Sequence, residues 1–361
     1  MERKHYIDNI RWMTVLLVIV YHVIYMFNNS GVISNFGVQG IPQLDVIICF
    51  VYPWFMALLF VVAGVSAKHS LQKRSGKEFA KSRAKSLLVP SIAGIFLLGW
   101  IAGRITNYYT DMFMGSGDAV PGFIKYLIYC LCGIGPLWFA QELFLASMVL
   151  LLIRKIDKNK KLEACGKKTN GLALILLVIP FWLSSYLFVT PLIEVYRNGF
   201  YVFCFLLGYY VFSNEEVLEK IRSLRFVLLG AGVICGILFS WKHYGENYSS
   251  TEVLTHPFTN VYAWIMILAI FANAKEYLNF SNAFTKYMTK INFTAYALHY
   301  PLLCVVAFTT LNYIKLPISV SYVVNLIVTL LLLPVLHEVI SRIPVLRFLL
   351  LGISKEKKKV S

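Results

Sequence analysis

WMTVLLVIVYHVIYMF, residues 12–27, is an apolar run whose one imidazole is His22, with Arg11 directly in front of it. On an α-helix turning ~100° and rising ~1.5 Å per residue, the step from Arg11 to His22 returns to within ~20° of the same face after a rise of ~16 Å. A guanidinium at the water boundary and an imidazole deep in hydrocarbon therefore fall on one stripe of one helix. Polar groups in a membrane are expensive and face a cavity or a partner, so this pair is the leading functional signal in the chain. No small-residue cleavage site follows the run, and its flank carries Asp8 as well as Arg11. It reads as a retained span and not a signal peptide.

The remaining composition agrees. Of 361 residues, 58% are hydrophobic, 15% aromatic and only 14% charged, too little polar material to cover a soluble globule. The sequence predicts an all-α integral membrane protein, a polytopic bundle of about ten transmembrane helices. Their expected ranges are 12–28, 46–67, 86–103, 133–153, 171–189, 199–213, 226–241, 258–274, 293–312 and 318–340, with 199–213 the weakest. The apolar stretch 123–132 fits an interfacial helix, a re-entrant piece or the start of the fourth span. The net charge of +16 is spread between these runs and forms no continuous basic domain, which argues for topology and against nucleic acid. With the N-terminus inside, 29 of the 34 Lys and Arg residues fall in cytoplasmic segments, leaving Arg104, Lys125, Arg197, Lys242 and Lys315 opposite. That asymmetry predicts both termini cytoplasmic, in a multi-pass protein of the plasma membrane.

No loop is long enough for a soluble domain, so residues 1–361 read as a single membrane domain ending in a basic cytoplasmic tail, 354–361. Seven cysteines without a CxxC pair indicate neither a disulfide framework nor a zinc site, and no metal is expected.

Several strings, in order along the chain, carry a resemblance. YIDNIRWMTVLLVIVYH (6–22), FAKSRAKSLLVP (79–90), PLWFAQELF (136–144), FLLGYY (205–210) and YALHYPLL (296–303) together resemble the membrane-bound acyltransferase 3 family. HEVISRIPVLRFLLLG (337–352) is similar to its glucan-modifying branch. One departure is Ser86, where the family pattern has a second basic residue three positions after Arg83; Lys85 lies next to it but ~100° away on a helix. The resemblance implies transfer of an acyl group from cytoplasmic acyl-CoA, acetyl-CoA ahead of succinyl-CoA, to a hydroxyl of a cell-surface or lipid-linked glycan. Acyl-CoA is then a co-substrate, with no bound cofactor.

Such chemistry needs a base and a way to hold a charged donor. Histidine titrates near neutral pH, so His22 at mid-depth suits the base or acyl-transfer role. Arg11 stays protonated, and its fork of donors suits a phosphate or a carbonyl oxygen, with Asp8 one turn earlier to orient it. Arg83 and Lys85 are the expected contacts for the phosphates of CoA, together with Arg11. Glu142 is the carboxylate inside the fourth span, where it must be protonated or partnered, by His22 or Arg11 among others, and it joins His22 and Arg11 as a catalytic candidate. Trp138, one turn before it, can stack on a sugar or on the pantetheine arm. His299, just before Pro301, is a site or supporting residue, while His337 and Glu338 read as a solvated pair at the end of the last span. A proton-coupled transporter using His22, Glu142 and His299 as a relay is the alternative, though such proteins often show internal repeats and none is visible here.

Overall fold

In hydrocarbon a helix satisfies every backbone donor and acceptor within its own segment, so long apolar runs fold as helices. The computed structural model describes residues 4–190 and 196–354, and among these it contains helices and no named strand. Eight helices are long and apolar enough to cross a membrane. They are α1 (His5–Tyr25), α2 (Pro42–Leu71), α3 (Gly76–Thr110), α4 (Gly135–Ile156), α5 (Arg225–Lys242), α6 (Pro257–Tyr277), α7 (Ala283–Asn312) and α8 (Ile318–Arg342). The chain is an all-α polytopic membrane protein.

Two of the expected ten spans differ in form. Gly171–Ser184 is short and bends by 110° from the preceding Lys161–Lys168, and counting this pair as one broken span brings the total to nine. Asn198–Phe212, the weakest run in the sequence, belongs to the apolar helices of 10–17 residues, below the ~20 that an upright span needs. Gly122–Cys132 is a separate helix, parted from α4 around Gly133. The basic tail lies outside the described residues beyond Ser354.

Local chemistry sets where α3 begins. Ser75 and Glu78 form a reciprocal capping box, with the Ser75 amide donating to Glu78 Oε2 at 2.8 Å and the Glu78 amide donating to Ser75 Oγ at 3.3 Å. Farther along, α3 widens into two π-helical turns, Ala84–Leu88 and Ile95–Gly99. Sequence periodicity does not reveal such turns, which recur at functional sites.

The chain divides into two compact units, each assembled from three stretches. The first comprises Met1–Thr14, Val46–Lys81 and Glu142–Thr289; the second comprises Val15–Asp45, Ser82–Gln141 and Lys290–Ser361. In the first unit the backbones of α2 and Asn198–Phe212 meet through glycines: a Cβ on Gly64 would overlap the Phe205 carbonyl, and one on Gly208 the Val61 carbonyl. Small residues permit this close approach of membrane helices, which explains the glycine in FLLGYY. Gly208→Ala is therefore expected to cost about 1–3 kcal/mol of stability through overpacking. Thermal unfolding in detergent checks it, and an unchanged midpoint would show that the two backbones do not touch. The buried aromatic rings of Phe181, Phe200, Phe212 and Trp264 pack as a cluster in the same unit, where Trp264 Nε1 also donates to the Leu174 carbonyl at 3.1 Å. In the second unit, Gly99 and Gly103 of α3 allow the same approach by Tyr129 and Cys130 of Gly122–Cys132.

Burial along the helices fits a lipid surround. α2 is 78% buried in its most apolar window and α5 only 22%, yet α5 exposes Phe226, Val227, Ile234 and Ile237. An outward face of this kind suits hydrocarbon and not water.

Candidate active site

Helix α1 runs without interruption from His5 to Tyr25 and carries both Arg11 and His22. In the second unit, α7 brings His299 to His22, with His299 Nε2 3.3 Å from His22 Nδ1 and the ring centroids 5.0 Å apart. His299 Nδ1 lies 2.9 Å from each of the Ala295 and Tyr296 carbonyl oxygens. Carbonyls only accept, so these contacts assign the proton of His299 to Nδ1 and leave a lone pair on Nε2. His22 Nδ1 in turn faces two acceptors, that lone pair and the Val18 carbonyl at 2.8 Å. The proton of His22 therefore also sits on Nδ1, and its Nε2 is the basic nitrogen. His299 is fully buried, whereas His22 keeps part of its surface accessible. One ring is reachable and the other orients it.

A third side chain completes this cluster. The Tyr300 ring packs against His22 at 5.0 Å, and its hydroxyl donates to Asn35 Oδ1, while Asn35 Nδ2 donates to Thr106 Oγ1 of α3 at 2.5 Å. Gly135, at φ 49°, lies so close to Tyr300 that a Cβ there would strike the ring. Only glycine adopts that backbone conformation readily and leaves the space. Tyr300 directly follows His299 in sequence, whereas Asn35 and Gly135 carry no sequence signal; both matter only through contacts made across the fold.

PLWFAQ, residues 136–141, and YALHYPLL meet within the second unit. Tyr296, one turn before His299, donates its hydroxyl to the Pro136 carbonyl at 2.6 Å and accepts from the Ala140 amide at 3.1 Å. This phenol holds the opening turn of α4, where Trp138 is half-buried beside Phe139 and Phe139 meets Tyr296 edge-on. Arg83 and Lys85 stand half-buried on α3, Lys85 within the first π turn. His337 departs from the solvated pair expected of it: it is buried, with Nδ1 2.6 Å from Thr294 Oγ1, while Glu338 pairs with Lys290 at 2.8 Å.

The first unit holds the other candidates. Arg11 Nη1 lies 3.3 Å from Asp8 Oδ1, and Nη2 donates to Ser66 Oγ of α2, so the guanidinium is oriented from two sides. Glu142 is 2% exposed, and its Oε2 has no hydrogen-bond partner among the described residues. In the same unit, a cavity of about 400 Å³ is lined by Lys4, Lys68, Lys167 and Lys275 with Glu163 and Glu215. Lys4 pairs with Glu215 at 2.9 Å and Lys68 with Glu163 at 2.6 Å. The hydrogen bond from Lys4 holds the Glu215 carboxyl below the usual carboxylate range, and Lys275 adds to the effect. Arg11, Arg83 and Lys85 do not line this cavity.

The chain is similar to known proteins over nearly its whole length. Glucans biosynthesis protein C of Escherichia coli strain K12 is 22% identical over 97% of this chain and 95% of its own length. The proteins of that name from strains SMS-3-5 and E24377A match with the same identity and coverage. No solved structure matches the chain. The family model described as an acyltransferase domain matches residues 4–339, nearly the whole chain and every segment that carries the histidine pair. The protein thus belongs to the acyltransferase 3 family and is a membrane acyltransferase.

Proposed function

We propose that this acyltransferase takes an acyl group from cytoplasmic acyl-CoA, acetyl-CoA ahead of succinyl-CoA, and places it on a hydroxyl of a cell-surface or lipid-linked saccharide. It does so as a multi-pass protein of the plasma membrane with both termini cytoplasmic. The name of its relatives, glucans biosynthesis protein C, supports a saccharide acceptor. The observation that carries the mechanism is the reachable His22, whose hydrogen bonds at Nδ1 leave Nε2 as a base.

In this reading His22 Nε2 removes the proton of the acceptor hydroxyl as the oxygen attacks the thioester carbonyl. The new C–O bond forms, the C–S bond breaks, and the CoA thiolate leaves with the proton that His22 returns. While His22 is an imidazolium, its Nδ1–H stays directed at the His299 lone pair and the Val18 carbonyl, which stabilise the charge. In the first unit, we assign Arg11, oriented by Asp8 and Ser66, to the donor and Glu142, by its unpartnered oxygen, to the acceptor. Labelled acetyl-CoA supplied to the purified protein with a saccharide acceptor tests the scheme, because a proton-coupled transporter would neither bind nor consume it.

Cations must meet the phosphates of CoA, and we assign this to Arg83 with Lys85. Arg83→Ala is expected to raise the apparent KM for acyl-CoA by about tenfold, the loss of one charged hydrogen bond, with that for the saccharide unchanged. If Lys68→Ala combined with Lys275→Ala has that effect and Arg83→Ala does not, the phosphates belong in the lysine-lined cavity.

A further inference from the structure

The second unit contains a cavity of about 870 Å³ whose chemistry differs from that of the lysine-lined one. Its two cations are Arg104 from α3 and Lys125 from Gly122–Cys132. Neither side chain makes an ion pair or a hydrogen bond among the described residues, whereas Lys4, Lys68, Lys167 and Lys275 are all matched by glutamates. Both also belong to the few basic residues that the charge asymmetry puts on the side opposite the termini, so the positive-inside tendency does not account for them. Around them stand the rings of Trp100, Tyr108, Tyr129, Phe308 and Tyr313. Flat apolar faces suit the C–H side of a sugar ring, and two unmatched cations suit two negative charges. The volume lies within the range of about 300–1,000 Å³ of small-molecule sites.

The cavity is also tied to the histidine pair. Thr106, between the lining residues Ile105 and Asn107, receives the hydrogen bond from Asn35, which accepts from Tyr300 beside His22. The lining residue Val305 follows His299 on α7 at a helical rise of about 9 Å.

We infer that this cavity is the acceptor subsite and that it selects a saccharide carrying phosphate, with Arg104 and Lys125 on the phosphate and the rings on the sugar. The inference rests on the acyltransferase reading given above. The phosphate's source, a sugar phosphate or the bilayer's own headgroups, is separated by experiment.

The full-length protein in phosphatidylcholine nanodiscs is titrated by calorimetry with glucose 1-phosphate, glucose and inorganic phosphate. Glucose 1-phosphate is expected to bind at least about tenfold more tightly than either of the others, and Arg104→Gln or Lys125→Gln to weaken it by about tenfold each. Absence of binding, equal affinity for glucose, equal affinity for inorganic phosphate, or indifference to both substitutions overturns the inference. In phosphatidylglycerol nanodiscs the sugar phosphate should still bind; loss of binding there means that lipid headgroups fill the cavity, which also overturns it. Binding without acyl transfer in the unsubstituted protein would sink the enzymatic reading alone, and transfer without binding would sink the subsite alone.

Discussion

His22→Ala lowers the rate of acyl transfer by about 10³-fold, within the 10²–10⁴ that a positioned general base contributes, while the protein still inserts and binds its substrates. The expectation follows from the contacts of the ring. Val18 and His299 fix Nδ1 as the protonated nitrogen, so the free nitrogen lost in the alanine variant is the one that can accept a proton. His22 is only half-buried, so its loss leaves a space that water or substrate can occupy and not a collapsed core. Single-turnover kinetics with labelled acyl-CoA measures the effect. Turnover within a few-fold of the unsubstituted protein would remove histidine from the mechanism.

His299→Leu is the second large effect, with kcat falling by about 10- to 100-fold and both KM values unchanged. Leucine keeps the bulk but offers no acceptor to His22 Nδ1–H, and a hydrogen bond to a charged group is worth about 1.5–3 kcal/mol. His299→Gln, whose amide oxygen can accept, should recover part of the loss. A packing role alone would give the reverse order, because leucine suits a fully buried site better than glutamine. Equal activity in the two variants would show that no lone pair at this position supports His22.

Much of this was legible in the sequence, for definite reasons. The helical membrane class follows from apolar runs too long for a soluble domain, and His22 stood out because an imidazole in such a run is costly. The meeting of His22 and His299 was not legible, since neither periodicity nor spacing relates residues 277 positions apart. Asn35 reads in sequence as an ordinary loop polar residue, and becomes part of the site only through Tyr300 and Thr106. The lysine-lined cavity draws Lys4, Lys68, Lys167 and Lys275 from four distant segments, each of which reads alone as a topology signal. Of the two runs that form no full-length span, 199–213 was the weakest in the sequence, whereas 171–189 read as an ordinary span, because the 110° bend after Lys168 depends on backbone geometry that hydropathy does not carry.

The assembly of each unit from three separated stretches has a consequence for biogenesis. His22 emerges from the ribosome early, and its partner His299 follows 277 residues later. At about 5–20 residues per second, translation keeps that imidazole waiting for tens of seconds. A nascent chain stalled before α7 therefore holds its imidazole in the membrane without the acceptor that His299 supplies.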